Sequence, residues 1–198
     1  MSKVTCDMAM SLDGFVAGPN QSPENPLGEG VNNRLHRWMF DEPSAHAEEI
    51  EALTSAGAFV MGRNMFSPGR GDWDLEWKGW WGDEPPYHGP VFVLTHHARE
   101  PLTMQGGTTF TFVTDGIESA LAQARAAAAD KDVAIAGGGG VVSQYLAAGL
   151  IDELRVHIAP VILGAGESLF DGVADVDLEP LDVRGTALVT HVRYRVIR

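Results

Sequence analysis

The sequence predicts an α/β fold in which a mainly parallel, mixed central sheet is covered by helices and carries antiparallel strands at its C-terminal edge. Three observations point there. Short apolar runs of strand length alternate with helix-like stretches along most of the chain, and strands then follow one another near its end. Alternation of this kind gives parallel pairing, because each helix carries the chain back across the sheet. No repeat, low-complexity tract or linker breaks the 198 residues, so a single domain over 1–198 is expected.

The elements follow in order. Val4, Cys6, Met8 and Met10 alternate with Thr5, Asp7, Ala9 and Ser11, which is strand periodicity. "SLDGFVAGPNQSPENPLGEG" is rich in Gly, Pro and Asn and reads as a long loop. "NNRLHRWMF" reads as a short helix turning Leu35, Trp38 and Met39 to the core. Ser44 is placed to cap a helix with Ala47, Ile50 and Leu53 on one face and Gly57 beyond its end. "AFVMG", "PVFVLT" and "TFTFVT" are strands. Asp115 and Glu118 have capping-box spacing before a helix that buries Ile117, Ala120, Leu121 and Ala124. "DVAIA" is a further strand, and after four glycines comes a helix with Val142, Tyr145 and Leu146 on one side, stopping near Gly149. "ELRVHIAPVI" and "ALVTHVRYRVI" are late strands, the second with Leu188, Val192, Tyr194 and Val196 on one face.

Composition narrows the function. The formal net charge of -13 argues against nucleic acid, whose phosphates need a basic face. Cys6 is the only cysteine, so no intramolecular disulfide forms and a reducing compartment suits the chain. The start, "MSKVTCDMAM", lacks the apolar centre of a signal peptide, and no apolar run is long enough to cross a membrane. A cytoplasmic protein with no membrane partner is expected.

The run Gly137 to Gly140 closes a strand and opens a helix. Ligands of open α/β sheets bind at such strand ends. Free N–H groups at a helix start attract phosphate oxygens, and missing side chains let a phosphate approach. Gly137 and Gly139 fit the first two positions of a dinucleotide fingerprint, but Val142 stands at the third. A tight strand-to-helix turn without a ligand is the other reading of the same residues. Adjacent His96 and His97 point to opposite faces if they lie on a strand and have no Cys or His cluster with them, so no metal is expected there.

"VMGRNMF", "VFVLTHH" and "AIAGGGGVVSQYL" occur in that order, with "MSLDGFVAG" before them and "PVILGAGESLF" after. On these motifs the chain resembles the dihydrofolate reductase-like family, most closely the reductase domain of the bifunctional riboflavin-biosynthesis deaminase-reductase. The resemblance spans nearly the whole chain and implies a three-layer α/β/α fold and NADPH as cofactor. It implies that the diphosphate meets two helix starts, at Gly62, Arg63, Asn64 and Met65 and at Gly137, Gly138, Gly139, Gly140, Val141 and Val142. Ala17, Leu94, Thr95 and His96 complete the implied cofactor contacts. Arg63 aligns with an arginine on the adenosine 2′-phosphate side, a role that suits a guanidinium fork.

On the substrate side, dihydrofolate reductases carry an acidic residue on the first helix, whereas "NNRLHRWMF" has none before Asp41 and Glu42. Dihydrofolate is therefore expected to be a poor substrate. Asp13 either positions a substrate group or relays a proton, or it forms an Asx-turn before Gly14. Trp38 is a candidate to stack on a flat substrate ring or to sit in the core. Glu167 is a candidate pocket residue or a plain turn carboxylate. Trp73, Trp77, Trp80 and Trp81 crowd one loop, where they cover the site's mouth, a dimer interface or a small core of their own. A homodimer is expected.

Two functions follow. One is an NADPH-dependent reductase of a small heterocyclic, pteridine- or riboflavin-precursor-like substrate. The other is a non-catalytic dinucleotide- or ligand-binding protein that keeps the cofactor site.

Overall fold

The computed structural model describes residues 2–67, 69 and 71–197. Six strands run parallel at its centre: β1 (Val4–Ser11), β3 (Ala58–Gly62), β4 (Pro90–Leu94), β6 (Thr109–Val113), β7 (Val133–Gly137) and β8 (Glu153–Ala159). The expected antiparallel edge is formed by β10 (Leu178–Gly185) and β11 (Thr190–Val196), with β11 against β8. A two-residue strand, β5 (Leu102–Thr103), closes the other edge, giving the order β10-β11-β8-β1-β7-β3-β4-β6-β5. The segments β2 (Phe15–Ala17) and β9 (Glu167–Ser168) pair separately. The strands β2, β5 and β9 are too short to show a period, and β10, "LEPLDVRG", has no apolar alternation to mark it in advance.

Strand alternation splits the sheet into two faces. Val4 and Cys6 of β1, Val60 of β3 and Ile135 of β7 join one core with Ala120, Leu121 and Ala124 of α4 (Ile117–Ala128) and Val142, Tyr145 and Leu146 of α5 (Gly139–Ala147). Tyr145 donates its hydroxyl to Ile117 O at 2.6 Å, tying the two helices. Phe59, Met61, Val91, Val93 and Phe110 point the other way into a second core. Trp73, Trp77 and Trp81 pack against that core, with Trp73 Nε1 donating to His97 O at 2.7 Å and Trp77 Nε1 to Phe66 O at 2.8 Å. The loop thus packs onto the sheet's second core, with its indoles left half-buried.

Local differences have local causes. The helix expected over "NNRLHRWMF" is only α1 (Arg37–Asp41), preceded by turns; Leu35 and Trp38 are buried as expected and Met39 is half-buried. Ser44 does not cap: Pro43–His46 form a 3-10 turn running into α2 (Ala47–Ala52) without a side-chain cap. The helix face also shifts, so that His46 is buried and Ala47 exposed. The capping box before α4 is absent too. Gly116 takes the N-cap at φ 91 with no side-chain hydrogen bond, a conformation glycine adopts without the steric cost of a Cβ.

On the second face at the C-terminal edge, the register sets a polar row side by side. Asp7 of β1 pairs across to Arg155 of β8, Ala9 to His157, and His157 to His191 of β11. Trp38 roofs this row, its ring centroid 4.8 Å from that of His157 and 5.0 Å from that of His191.

Candidate functional site

The strand order places β7 between β1 and β3, so three parallel strands end together. There Gly137, at φ 127, closes β7, and Gly138 is the N-cap of α5. A Cβ at Gly137 would stand 3.1 Å from Met65 Sδ and 3.4 Å from Met8 Sδ. One at Gly139 would stand 2.9 Å from Val16 Cγ2 and 3.1 Å from Glu167 Oε1. Gly62, at the end of β3, is equally tight, since a Cβ there would lie 2.7 Å from Val141 Cγ2. Packing thus favours glycine at 62 and 139, and the positive φ favours it at 137. Gly140 is different: it is exposed, and a Cβ there would meet only Glu167 Oε1, at 3.8 Å.

The helix start carries an anion already. Gly140 N–H donates to Glu167 Oε1 at 2.9 Å. The N–H groups of Val141 and Val142 are both directed at Gly138 O at 3.1 Å, and the Val142 side chain lies in the core, so neither residue offers its N–H to a ligand. The Gly140 donor, with a carboxylate as its guest, suits an anionic oxygen such as a phosphate's, because a helix start favours either anion. Glu167, the candidate pocket residue or turn carboxylate, lies on β9 and reaches the glycine loop, brought there by pairing of β9 with β2.

Neighbouring strand ends bring the other candidates close. Gly62 is in register with Leu94, so α3 (Arg63–Phe66) and the turn at Thr95 stand side by side. The Arg63 guanidinium lies 4.0 Å from the Trp73 ring centroid and donates to Asp72 O at 3.2 Å. Trp73 in turn holds His97 O, while Thr95 Oγ1 accepts from His97 N at 3.1 Å. Arg63 therefore borders the tryptophan loop, and His96 and Asn64 are exposed beside it. Ala17 is buried under Gly166, whose Cβ would meet Ala17 O.

Two candidates have other work. The Asp13 carboxylate accepts from Leu163 N at 3.1 Å and Gly164 N at 2.7 Å, clamping the β1–β2 turn to a distant loop. The Ser11 hydroxyl and these backbone donors hold its carboxyl down at about 2, so it stays ionised and is no proton donor at neutral pH. Trp38 is 1% exposed, with three imidazoles around it, and has no open face for a substrate ring. Met8 and Val16, which wall the glycine loop, were missed; nothing local marks a Met or Val as a wall.

The fold and this edge define a class: an α/β sheet with an anion-accepting glycine turn at the end of its central strand. More specifically, the chain belongs to the RibD C-terminal domain family, whose model matches residues 2–191. A curated protein similar to it is the uncharacterized protein YyaP of Bacillus subtilis (strain 168), 23% identical over 193 residues, 92% of this chain and 88% of YyaP. Among solved structures, a Shewanella sp. PV-4 protein assigned to riboflavin biosynthesis is similar at TM-score 0.69 and 23% identity, covering 99% of both chains. Acinetobacter baumannii RibD superposes at 0.63 with 19% identity, over 100% of this chain and 58% of that one. The Saccharomyces riboflavin biosynthesis reductase Rib7 superposes at 0.57 with 15% identity, over 100% and 89%. These likenesses bear out the expected fold. Among the described residues, no helix is long and apolar enough to cross a membrane.

Proposed function

We propose that this chain is an NADPH-dependent reductase of a small heterocyclic substrate, pteridine-like or resembling a riboflavin precursor. The observation that carries the reading is the Gly140 N–H at the start of α5, already bonded to a carboxylate at the end of the central strand. Family membership and the reductase relatives support the same chemistry. When bound, the cofactor supplies the hydride. The chain's own residues bind and orient it. With NADPH bound, Gly138 to Gly140 would hold its diphosphate in place of the Glu167 carboxylate, and Arg63, backed by Trp73, would meet its 2′-phosphate. Asp13 fixes the loop geometry, and water delivers the proton.

Dihydrofolate is a poor substrate in this reading. Helix α1 offers no carboxylate before Asp41, and Asp41 is bonded to Arg37 at 2.8 Å. The protein acts as a homodimer. Support for this comes from the half-buried tryptophans of the loop and from edge strand β10, where Val183 is 62% exposed. Light scattering over a dilution series is expected to give the dimer mass, and a monomer mass throughout would refute it.

Calorimetry with NADPH and NADH tests the core of the reading. Arg63→Ala is expected to weaken NADPH by the value of a charge-assisted bond, about 1.5–3 kcal/mol, and to leave NADH nearly unchanged. Gly140→Val is expected to weaken both without disturbing the fold. Gly139→Val is a poorer probe, because its side chain would strike Val16. Equal affinity of the wild type for both cofactors, or no effect of Gly140→Val, would sink the cofactor site. A panel of pterins, dihydrofolate and flavin precursors with NADPH then separates a reductase from a binder. Binding without turnover on any of them favours the binder.

A further inference from the structure

A second cluster of chemistry-bearing residues lies away from the glycine edge, on the second face where α2 meets β11. The 3-10 turn running into α2 sets His46 and Glu49 on one side, three residues apart. Strand β11 brings His191 against them and β10 brings Arg184. Ligand atoms of His46, Glu49 and His191 all lie within 4.8 Å of one another. We propose that these three residues form a binding site for a divalent transition-metal ion of the zinc class, in which the Arg184 guanidinium is a resident cation that the metal displaces.

The spacing suits such an ion. Ligands about 2.0–2.1 Å from a tetrahedral zinc stand roughly 3.3–3.4 Å apart. His46 Nδ1 and His191 Nε2 are 2.9 Å apart, and His191 Nε2 and Glu49 Oε1 are 3.9 Å apart, so the two separations bracket that value. The lone pairs already face a positive charge. Arg184 Nη2 donates to His46 Nδ1 at 3.1 Å and to Glu49 Oε1 at 2.5 Å. The second Glu49 oxygen is buried without a hydrogen-bond partner, which leaves acceptor capacity unused. His46 and His191 are buried, at 0% and 6% exposure.

A supporting contact lies behind one ligand: His191 Nδ1 is 2.7 Å from His157 Nδ1. His46 Nε2 is buried without a hydrogen-bond partner, with Glu42 Oε2 4.0 Å away. Metal-bound imidazoles usually direct their second nitrogen at such partners, which fixes ring and tautomer. Protons balance along the chain of rings. Because Arg184 donates to His46 Nδ1, His191 donates from Nε2 to that same atom and accepts from His157 at Nδ1. When metal takes the His191 Nε2 lone pair, the His191 proton moves to Nδ1 and that of His157 to Nε2. The latter atom lies 3.8 Å from Asp7 Oδ1, and both are buried without hydrogen-bond partners. No proton is lost. Burial, with help from His157, pulls His191 down to about 4, so it is a neutral ligand at neutral pH. Arg184 sits on the edge strand with its side chain 40% exposed, so it can swing into solvent.

The test uses tag-free, metal-stripped full-length protein titrated with Zn²⁺ by calorimetry and with Co²⁺ by visible absorption. The wild type is expected to bind one ion per chain, with the absorption of a four-coordinate site. Tryptophan fluorescence is expected to change with the same midpoint, since Trp38 lies 5.0 Å from His191 between ring centroids. Arg184→Ala removes a competing cation and is expected to bind about tenfold tighter or more. His191→Gln and Glu49→Gln are expected to lose the site; Glu49, being half-buried, serves if the histidine variant does not fold. No saturable binding by the wild type would overturn the proposal. Binding that appears only in Arg184→Ala would overturn it too, since the guanidinium is then the site's permanent cation. So would binding that survives both ligand substitutions. Cofactor binding at the glycine edge is independent of every one of these outcomes.

Discussion

The glycine edge of β7 and the histidine cluster under α2 are both polar sites in one sheet, built from opposite materials. At the edge, the recognising group is a backbone N–H, and the glycines clear space around it. In the cluster, the recognising groups are side chains, and the backbone only sets their register. A backbone site survives changes in side chains that do not fill it. A side-chain site is tied to burial, because each imidazole there is part of the packing as well as of the chemistry. Damage to the cluster should therefore appear first as lost stability, and damage to the edge first as lost binding.

The largest expected effect comes from Trp38→Ala. Removal of a fully buried Trp is expected to cost about 3–5 kcal/mol by leaving a cavity. Denaturant unfolding measures it. Unchanged stability with altered substrate KM would return Trp38 to the substrate pocket and break the contrast.

Acid titration sharpens it, because the cluster and the Asp13 clamp of the β1–β2 turn, which leads into the strand that pairs with β9, titrate in separate windows. His191 in the metal-stripped protein is held near 4, below its ordinary 6.5, so the unfolded chain binds the extra proton between those values. Its contribution is whole above about 6.5 and is lost as pH falls through 4, with a slope of at most about 1.4 kcal/mol per pH unit. Asp13, held at about 2 against 3.8, keeps its contribution above its unfolded value and loses it as pH falls through 2. Stability measured against pH is expected to fall less steeply between 6.5 and 4 in His191→Gln, with His36, also held down by burial, supplying remaining slope, and to change only in the lower window in Asp13→Asn. A single shared window would mean that the regions are coupled.

The smallest effect belongs to Glu167. Glu167→Ala removes a carboxylate from the Gly140 donor and is expected to tighten NADPH binding by about 1 kcal/mol or less, the scale of an exposed charge. Calorimetry checks it. Weaker binding in this variant would make Glu167 a cofactor contact rather than a placeholder for one.

Legibility in the sequence followed the same division. The glycine turn was visible because its residues are contiguous and glycine is costly anywhere else. Asp13 was read as a turn residue or a catalytic one; its actual partners, Leu163 and Gly164, are 150 and 151 positions away. The face of the segment around α2 was misjudged through Ala47, since helical periodicity assumes that apolar residues point inward, and here His46 does. The His46-x-x-Glu49 spacing was the one local signal for the cluster, and it has no meaning without His191, 145 residues on.

The sequence by itself determined the alternation of strands and helices, the mainly parallel sheet and the glycine turn at its central strand end. Each of these rests on residues near in the chain: period, turn chemistry and the conformational freedom of glycine. The tertiary structure alone decided that the tryptophans pack on the sheet's second core, that Glu167 lies on the helix start, and that three histidines, Glu49 and Arg184 meet beneath Trp38. Those contacts join residues far apart in the chain, and only strand register and layer packing fix which of them touch.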